Sequence, residues 1–447
     1  MKNLKRSIAL LAVAALSVGA LAACGDDEGA SGDAEGSVYF LNWKPESEAT
    51  YGEIAEKYTE ETGVEVKVVT AASGTYEQTL QAEMTKSDAP TLFQINGPVG
   101  LVSWQEYAAD LGETDFAKDL SDPGLALTGE DGTVYGVPLA VEGFGIIYND
   151  AIMRDYFEMD GAKAASMDEI NNFDKLKEVT DDMQARKADL GIDGVFASTS
   201  LATGEAWRWQ THLFNTPLYH EYQEKGITDA EEIEFTYSNE FKNIFDLYLT
   251  NSTVEKTLAP SKTVTDSMAE FATGKAAMVQ NGNWAWSQIK DIEGNAVAEE
   301  DIKFLPIYSG VEGEEDLGIN VGTEAFMAVN SQATEADQQA TIDFVNWLFT
   351  DEEGMNYVTE DLGFIAPFKS FGDRTPADPL AKEINRYISD DSLTAVPWVF
   401  TTMPSAKFKD DFAQLLAQYA SGNLEWAEVE EAVVANWATE KAAVGGN

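Results

Sequence analysis

Three short apolar runs, separated by two helical patterns, constrain the fold of this chain more than any other feature. The runs are Val38 to Leu41, the alternating stretch from Val64 to Val69, and Thr91 to Ile95. Between them, apolar residues recur with helical spacing from Tyr51 to Tyr58, and a second helical pattern covers Tyr76 to Met84. Strand–helix–strand–helix–strand at this spacing predicts an α/β fold, in which helices cover both faces of a parallel sheet.

Polar and aromatic residues follow the first and third of these strands. In open parallel sheets, ligands bind at the carboxyl ends of the strands. We therefore expect a ligand site at this edge, formed by Trp43, Lys44, Glu46, Gln94 and Asn96.

The first 24 residues predict export and a lipid anchor. Three basic residues precede the apolar run from Ile8 to Ala20, which is short for a membrane span and typical of a secretion signal. The run ends in Leu21-Ala22-Ala23-Cys24, which looks like a bacterial lipobox, and Cys24 is the sole cysteine, so no disulfide is expected. We expect a lipoprotein signal peptide over 1–23 and a flexible, acidic tether over 24–36. Fatty acids such as palmitate on Cys24 would hold the protein outside the cell, on the cell membrane.

The charge of the chain limits its partners. It has 78 acidic residues against 29 Lys and Arg, a net charge of −49, which argues against nucleic acid as a partner. The same charge disfavours anionic ligands, although Lys44 or Arg208 could serve one carboxylate. The two histidines, His212 and His220, lack a third ligand at metal-binding spacing, and we expect neither a metal nor a cofactor.

Three blocks carry a family resemblance. The first is Asp131–Glu142 followed by Tyr148-Asn149, and the third spans Ala336–Pro367. The second, Phe271–Trp286, reads FATGKAAMVQNGNWAW. In content and order these blocks resemble extracellular solute-binding proteins of family 1, the sugar receptors of ABC importers, and especially the maltose-binding proteins.

The resemblance implies a two-lobe α/β fold of the periplasmic-binding-protein type, with ligand held between the lobes. Each lobe would be a mainly parallel sheet flanked by helices, with extra helices at the C-terminus. Crossovers between the lobes are placed near Glu142, Pro306 and Gly363. No Pro-rich linker divides the chain, which agrees with interleaved lobes. The lobes would then be 37–141 with 307–362, and 142–306 with 363–447.

By the same resemblance, the protein would act as a monomer that captures a carbohydrate, in particular an oligosaccharide, and delivers it to an ABC permease. The faces of a sugar ring pack on aromatic side chains, and its hydroxyls need polar partners. In the family the first Trp of Trp-Ala-Trp stacks on sugar, which corresponds to Trp284, and Val-Glu places a carboxylate in the cleft, which corresponds to Glu142. The complete set of candidate ligand-binding residues is Trp43, Lys44, Glu46, Asn96, Glu142, Trp207, Trp209, Trp284 and Trp398.

Two other classes of function stay open. A receptor for polyamines or peptides shares the two-lobe arrangement, and a secreted glycoside hydrolase also needs aromatics and paired carboxylates. The sequence shows no nucleophile elbow, zinc-protease helix or phosphate-binding loop. We therefore expect a binding protein without catalytic residues.

Overall fold

The computed structural model describes residues 36–72 and 74–444. The strands are β1 (Val38–Asn42), β2 (Val66–Thr70), β3 (Leu92–Asn96), β4 (Leu127–Thr128), β5 (Val134–Pro138), β6 (Glu142–Asn149), β7 (Gly194–Phe196), β8 (Ala276–Gly282), β9 (Ile302–Leu305), β10 (Leu317–Gly322), β11 (Ala325–Val329) and β12 (Thr394–Pro397). The helices are α1 (Glu48–Thr62), α2 (Tyr76–Met84), α3 (Gly97–Trp104), α4 (Asp115–Lys118), α5 (Asp150–Phe157), α6 (Phe173–Ala185), α7 (Lys187–Leu190), α8 (Phe214–Lys225), α9 (Ser238–Thr250), α10 (Val264–Ala272), α11 (Ala285–Ile289), α12 (Glu335–Thr350), α13 (Glu352–Asn356), α14 (Pro379–Ile388), α15 (Ala406–Ala420) and α16 (Trp426–Val444). None of the helices in this described part of the chain is long and apolar enough to cross a membrane.

The first sheet begins with the elements that the sequence predicts. Its strand order is β2-β1-β3-β11-β5-β4, and β1 pairs in parallel with both β2 and β3. Helix α1 ends at Gly63, which adopts the left-handed conformation with φ of 79° that glycine reaches without steric cost. The carboxyl ends of β1 and β3 therefore lie side by side at one edge.

The second sheet has the order β12-β10-β6-β8-β7, with β9 also paired to β6. Strand β6 runs antiparallel to β8, β9 and β10, and β11 is antiparallel to β3 and β5 in the first sheet. The prediction of mainly parallel sheets is therefore wrong, and both sheets are mixed. The sequence pattern reveals the parallel start of the first sheet, but strands that return from the other sheet enter in the opposite direction.

The chain passes between the sheets three times. It leaves the first sheet after β5 and enters the second at Glu142, where β6 begins. Strand β10 still belongs to the second sheet, so the return falls between Gly322 and Ala325 rather than near Pro306. Phe364 and Phe371 pack in the core of the first sheet, which moves the last passage beyond Gly363.

Alternating side chains build a core on each face of both sheets. In the first sheet Phe40 and Leu41 belong to opposite cores, and in the second sheet Ile146 and Ile147 do the same. The C-terminal helices α15 and α16 pack into the larger core of the second sheet, where Trp437 is fully buried. The predicted signal peptide and the predicted tether up to residue 35 lie outside the described residues, whereas Gly36 packs closely against the backbone of α12.

Candidate functional site

The loop after β1 holds a lysine between the two sheets. The side chain of Asn42 donates to the carbonyl oxygen of Lys44 at 2.8 Å and accepts from the Lys44 backbone N–H at 3.0 Å. Lys44 Nζ then donates to Glu142 Oε1, at the start of β6, over 2.7 Å. Burial opposes the charge of Lys44, but the carboxylates of Glu142 and Glu46 outweigh it and hold the Lys44 pKa above its ordinary value. The ion pair joins the ends of the two sheets.

Next to this ion pair, the end of β8 presents Trp284. Asn283 accepts from the Gly143 N–H at 2.9 Å and donates its own N–H to the Gly143 carbonyl at 3.0 Å. These bonds fix the turn after β8 against β6. The Trp284 ring lies over Gly282, where an added Cβ would come within 2.2 Å of it. Lys44 Nζ lies 5.8 Å from the centroid of the same ring, within the range of a cation–π contact.

A π-helical segment, Arg208–Leu213, brings further rings to Trp284. Such wide turns are frequent at functional sites. The ring centroids of Trp207 and His212 lie 5.8 Å and 5.4 Å from that of Trp284. His212 also stacks on Phe144 of β6, with centroids 4.3 Å apart and planes 7° from parallel.

Trp398 completes this group from the turn after β12. Asn215 holds that turn: its side chain donates to the Pro397 carbonyl at 3.0 Å and accepts from the N–H groups of Val399 and Phe400 at 2.7 and 2.9 Å. The Trp398 centroid lies 6.1 Å from that of His212. Its ring packs on Gly322, where a Cβ would come within 2.5 Å. The aromatic cluster, as we call it below, consists of Phe144, Trp207, His212, Trp284, Trp398 and Phe400.

The cluster contains an unusual number of buried polar atoms without a partner. Burying a polar atom without a hydrogen bond is costly, so native proteins satisfy nearly all of them. Within the described residues, the unpartnered atoms in and beside the cluster are Trp284 Nε1, Trp398 Nε1, His212 Nδ1, Gln280 Oε1, Gln210 Oε1 and all three guanidinium nitrogens of Arg208. Aromatic rings and unpartnered hydrogen-bonding groups are therefore concentrated in one region of the second sheet.

Arg208 is a buried cation beside the aromatic cluster, and no carboxylate among the described residues pairs with it. Its guanidinium carbon lies 3.8 Å from the centroid of the Trp207 ring, and the residue is 2% exposed. Burial lowers the pKa of Arg208 to about 9, against the opposing influence of Glu205 and Glu46. Arg208 is therefore still charged at neutral pH.

A cavity of about 260 Å³ borders the ion pair and the cluster. Glu142 and Trp284 form part of its wall, and Glu46 and Phe364 lie on the side of the first sheet. Burial raises the pKa of Asp378, a further wall residue, to about 7. Within residues 36–72 and 74–444, no three His, Cys, Asp or Glu side chains are grouped to hold a metal ion.

A family model for bacterial extracellular solute-binding proteins matches residues 53–386. The chain belongs to this family. The model covers most of the chain, including β6 with Glu142 and the turn with Trp284, and so confirms the resemblance seen in the sequence. A search of curated protein sequences found no match.

Solved structures of other binding proteins share the fold of this solute-binding protein. A chitin oligosaccharide binding protein superposes with a TM-score of 0.70 at 19% identity, over 91% of this chain and 99% of that one. RafE in complex with raffinose gives 0.69 at 19% identity, over 91% and 100%. A sugar transporter from Bacillus licheniformis in complex with stachyose gives 0.66 at 18% identity, over 90% and 100%. At these identities the likeness establishes the two-lobe fold.

The structure brings together five of the predicted site residues of this solute-binding protein, and a sixth lies beside them. Lys44, Glu142 and Trp284 meet directly, Trp207 and Trp398 join through the aromatic cluster, and Glu46 lies 4.0 Å from Lys44 Nζ. Asn96 ends β3, and the next residue, Gly97, donates its N–H to the backbone carbonyl of Glu324 at 3.1 Å. Burial raises the pKa of this glutamate.

Two predicted tryptophans lie elsewhere. Trp43 stacks on Tyr76 at 5.2 Å and 11°, packed against the cores of the first sheet. Trp209 is buried beside Tyr248, and its Nε1 donates to the Ser200 carbonyl at 3.2 Å. Its immediate neighbour Arg208 faces the Trp207 ring instead. Trp209 therefore fills the core and does not join the cluster.

Sequence reasoning missed His212, Phe144 and Phe400 as members of the cluster. His212 is eight residues from the other histidine, and without a metal-ligand pattern it carries no signal. Its position follows from the π-helical segment, in which the spacing of side chains departs from the usual helical period. The one signal in the sequence for this part of the cluster is Trp207-Arg208, which places a cation next to an aromatic residue.

Proposed function

We propose that this solute-binding protein captures a carbohydrate, in particular an oligosaccharide, between its lobes and delivers it to an ABC permease. The observation that carries the proposal is the aromatic cluster with its unpartnered polar atoms. A sugar ring offers apolar C–H faces and a rim of hydroxyls, and this site offers rings together with free donors and acceptors. The chitin oligosaccharide, raffinose and stachyose in the names of the structural neighbours support the same ligand class.

The proposal assigns distinct roles to the residues of the site. Trp284 and Trp398 stack on sugar faces, and their indole N–H groups donate to hydroxyls. The ion pair of Lys44 and Glu142 binds hydroxyls by charge-assisted hydrogen bonds. Because Lys44 comes from the first lobe and Glu142 from the crossover into the second, a bound sugar stabilises the closed arrangement of the lobes by its contacts with both.

The same proposal covers the cellular context. Cys24, which follows the apolar N-terminal segment, would carry fatty acids that anchor the protein to the outer face of the cell membrane. The loaded monomer would dock on its permease there and release the sugar for import. No turnover of the sugar is expected, since binding and release leave its covalent bonds intact.

Calorimetric titration of the purified protein with neutral and acidic oligosaccharides, polyamines and peptides tests the proposal. We expect at least one oligosaccharide to bind, and Trp284→Ala to weaken it by about 30-fold or more, the size typical of a buried aromatic hot spot. Trp347 provides the matched control, because it is a half-buried tryptophan of α12 in the other lobe. Trp347→Ala should leave the affinity unchanged.

Three outcomes would contradict the proposal. Binding of a polyamine or peptide with no sugar bound would replace the ligand class. Equal losses in Trp284→Ala and Trp347→Ala would show that the aromatic cluster is not the binding site. Release of shortened sugar during the titration would reveal a hydrolase.

A further inference from the structure

The two buried cations of the site are paired very differently. Lys44 has its carboxylate partner Glu142 at 2.7 Å. All three nitrogens of the Arg208 guanidinium are buried, and none has a hydrogen-bond partner among the residues that the structure describes. A guanidinium carries five N–H donors, and an unpaired buried charge is strongly unfavourable. Arg208 is therefore a preformed site for an acceptor.

Among the described residues, no acid forms an ion pair with Arg208. Glu205 and Glu46 influence the charge of Arg208 from a distance. Glu205 instead accepts from the backbone N–H of Val264 at 3.2 Å, and Glu46 lies 4.0 Å from Lys44 Nζ. The nearby acids are thus turned to other partners.

The guanidinium is also held in place. The backbone carbonyl of Arg208 accepts from Gln280 Nε2 at 2.7 Å, and the Trp207 ring lies against the guanidinium carbon at 3.8 Å. A guanidinium that lies over an aromatic ring by its carbon keeps its N–H donors available at its edge. This geometry suits a planar acceptor with two oxygens.

A carboxylate meets that description better than a hydroxyl. Two parallel N–H···O bonds from one guanidinium match the two oxygens of a carboxylate. A neutral sugar would supply acceptors but would leave the buried positive charge uncompensated. The net charge of −49 repels an approaching anion. Physiological salt screens charges over about 8 Å, so this repulsion acts only at short range.

We propose that the ligand is an acidic sugar whose carboxylate pairs with Arg208, as in an oligosaccharide that contains a uronic acid. This inference rests on the proposed carbohydrate function and specifies its substrate class. The sugar rings occupy the aromatic cluster, and the carboxylate lies at the rim of the Trp207 ring. Arg208 is then the residue that selects acidic over neutral ligands.

Matched ligand pairs test the inference with the full protein. The pairs are trigalacturonate with its fully methyl-esterified form, and glucuronic-acid-substituted xylotriose with plain xylotriose. Calorimetric titration should show that, in at least one pair, the acidic member binds 10-fold or more tightly than the neutral one. In Arg208→Gln this ratio should fall toward one, and in Arg208→Lys it should be intermediate, since lysine keeps the charge but loses the fork.

Arg208→Gln should melt at no lower temperature than the unaltered protein, because the substitution removes an unpaired buried charge. If that variant does not fold, Arg208→Lys alone decides, by a reduced ratio of acidic to neutral affinity. Equal or tighter binding of the neutral members in both pairs overturns the inference, as does an unchanged ratio in the variants. If neutral sugars bind and acidic ones are not preferred, only the acidic-sugar inference is rejected. If no sugar binds at all, the carbohydrate function is rejected as well.

Discussion

Tryptophans whose indole nitrogen is buried fall into two groups. The groups differ in whether that nitrogen has a hydrogen-bond partner. In the cores, the indole N–H of Trp209 donates to the Ser200 carbonyl at 3.2 Å, and that of Trp437 donates to the Ala230 carbonyl at 2.9 Å. In the aromatic cluster, the indole nitrogens of Trp284 and Trp398 are buried without a partner among the described residues. The indole nitrogens of both groups are shielded from solvent, so burial of the nitrogen alone does not tell the groups apart.

The difference shows what each group is built for. A core tryptophan contributes apolar area and satisfies its one donor within the fold. A tryptophan whose ring is packed but whose buried N–H has no acceptor destabilises the folded protein. That loss is offset when a ligand supplies the acceptor. Under the proposed function, the state of the N–H therefore separates rings that only pack the core from rings that bind the ligand.

The largest effect should come from the core group. Trp437 of α16 is fully buried, with its ring 5.3 Å from that of Phe408 on α15. Trp437→Ala should lower the free energy of unfolding by about 3–5 kcal/mol, measured by denaturant titration. At a temperature where the variant is folded, its sugar affinity should equal that of the unaltered protein, and a lost affinity would break the distinction between the two groups.

A pair of tryptophan-to-phenylalanine changes sharpens the comparison, because the two should act in opposite directions. Trp209→Phe removes a satisfied donor and core volume, and should lower the free energy of unfolding by about 1–3 kcal/mol. Trp284→Phe removes an unpartnered donor, and should leave that free energy unchanged or higher while it weakens sugar binding about fivefold, the worth of one hydrogen bond. Denaturant titration and calorimetry measure both quantities, and the same sign of stability change in both variants would refute the assignment.

The smallest effect on stability should come from the two histidines, of which His212 belongs to the aromatic cluster. Burial lowers the pKa of His212 well below its ordinary value and that of His220 to about 4. The unfolded chain binds protons near pH 6.5 and the native state does not, so this stabilising contribution is complete above that pH and is lost as the pH falls. Each histidine should cost about 1 kcal/mol of stability by pH 5.5, and His212→Phe, which keeps the stack on Phe144, should remove its share. NMR titration checks the cause, since either imidazole titrating near pH 6.5 in the native protein would contradict it.

Local patterns predicted the parallel start of the first sheet and the helices α1 and α2. They could not predict the mixed sheets, because the direction in which β10 and β11 enter depends on contacts distant in sequence. The second passage between sheets was placed near Pro306, before β10, since nothing in the sequence of that strand marks which sheet it joins.

Among the candidate site residues, the family motifs located Glu142 and Trp284, and the rim of the first sheet located Lys44. Trp207 and Trp209 are separated by one residue in a π-helical segment, and the sequence gives no means to tell which ring turns to the core. Arg208 was visible as a possible partner for one carboxylate. That its guanidinium is buried and unpaired is a property of the assembled fold, not of any local pattern.

Gly282 and Gly322 determine how deep two rings of the proposed ligand site can lie. The rings of Trp284 and Trp398 rest where a methyl group on either glycine would stand. Any larger residue at these two positions would lift a tryptophan and make the space shallower, although neither position need touch the ligand. Under the proposed function, a single added carbon beneath either ring would therefore change the size of sugar that the protein accepts, while every residue proposed to contact the sugar stays the same.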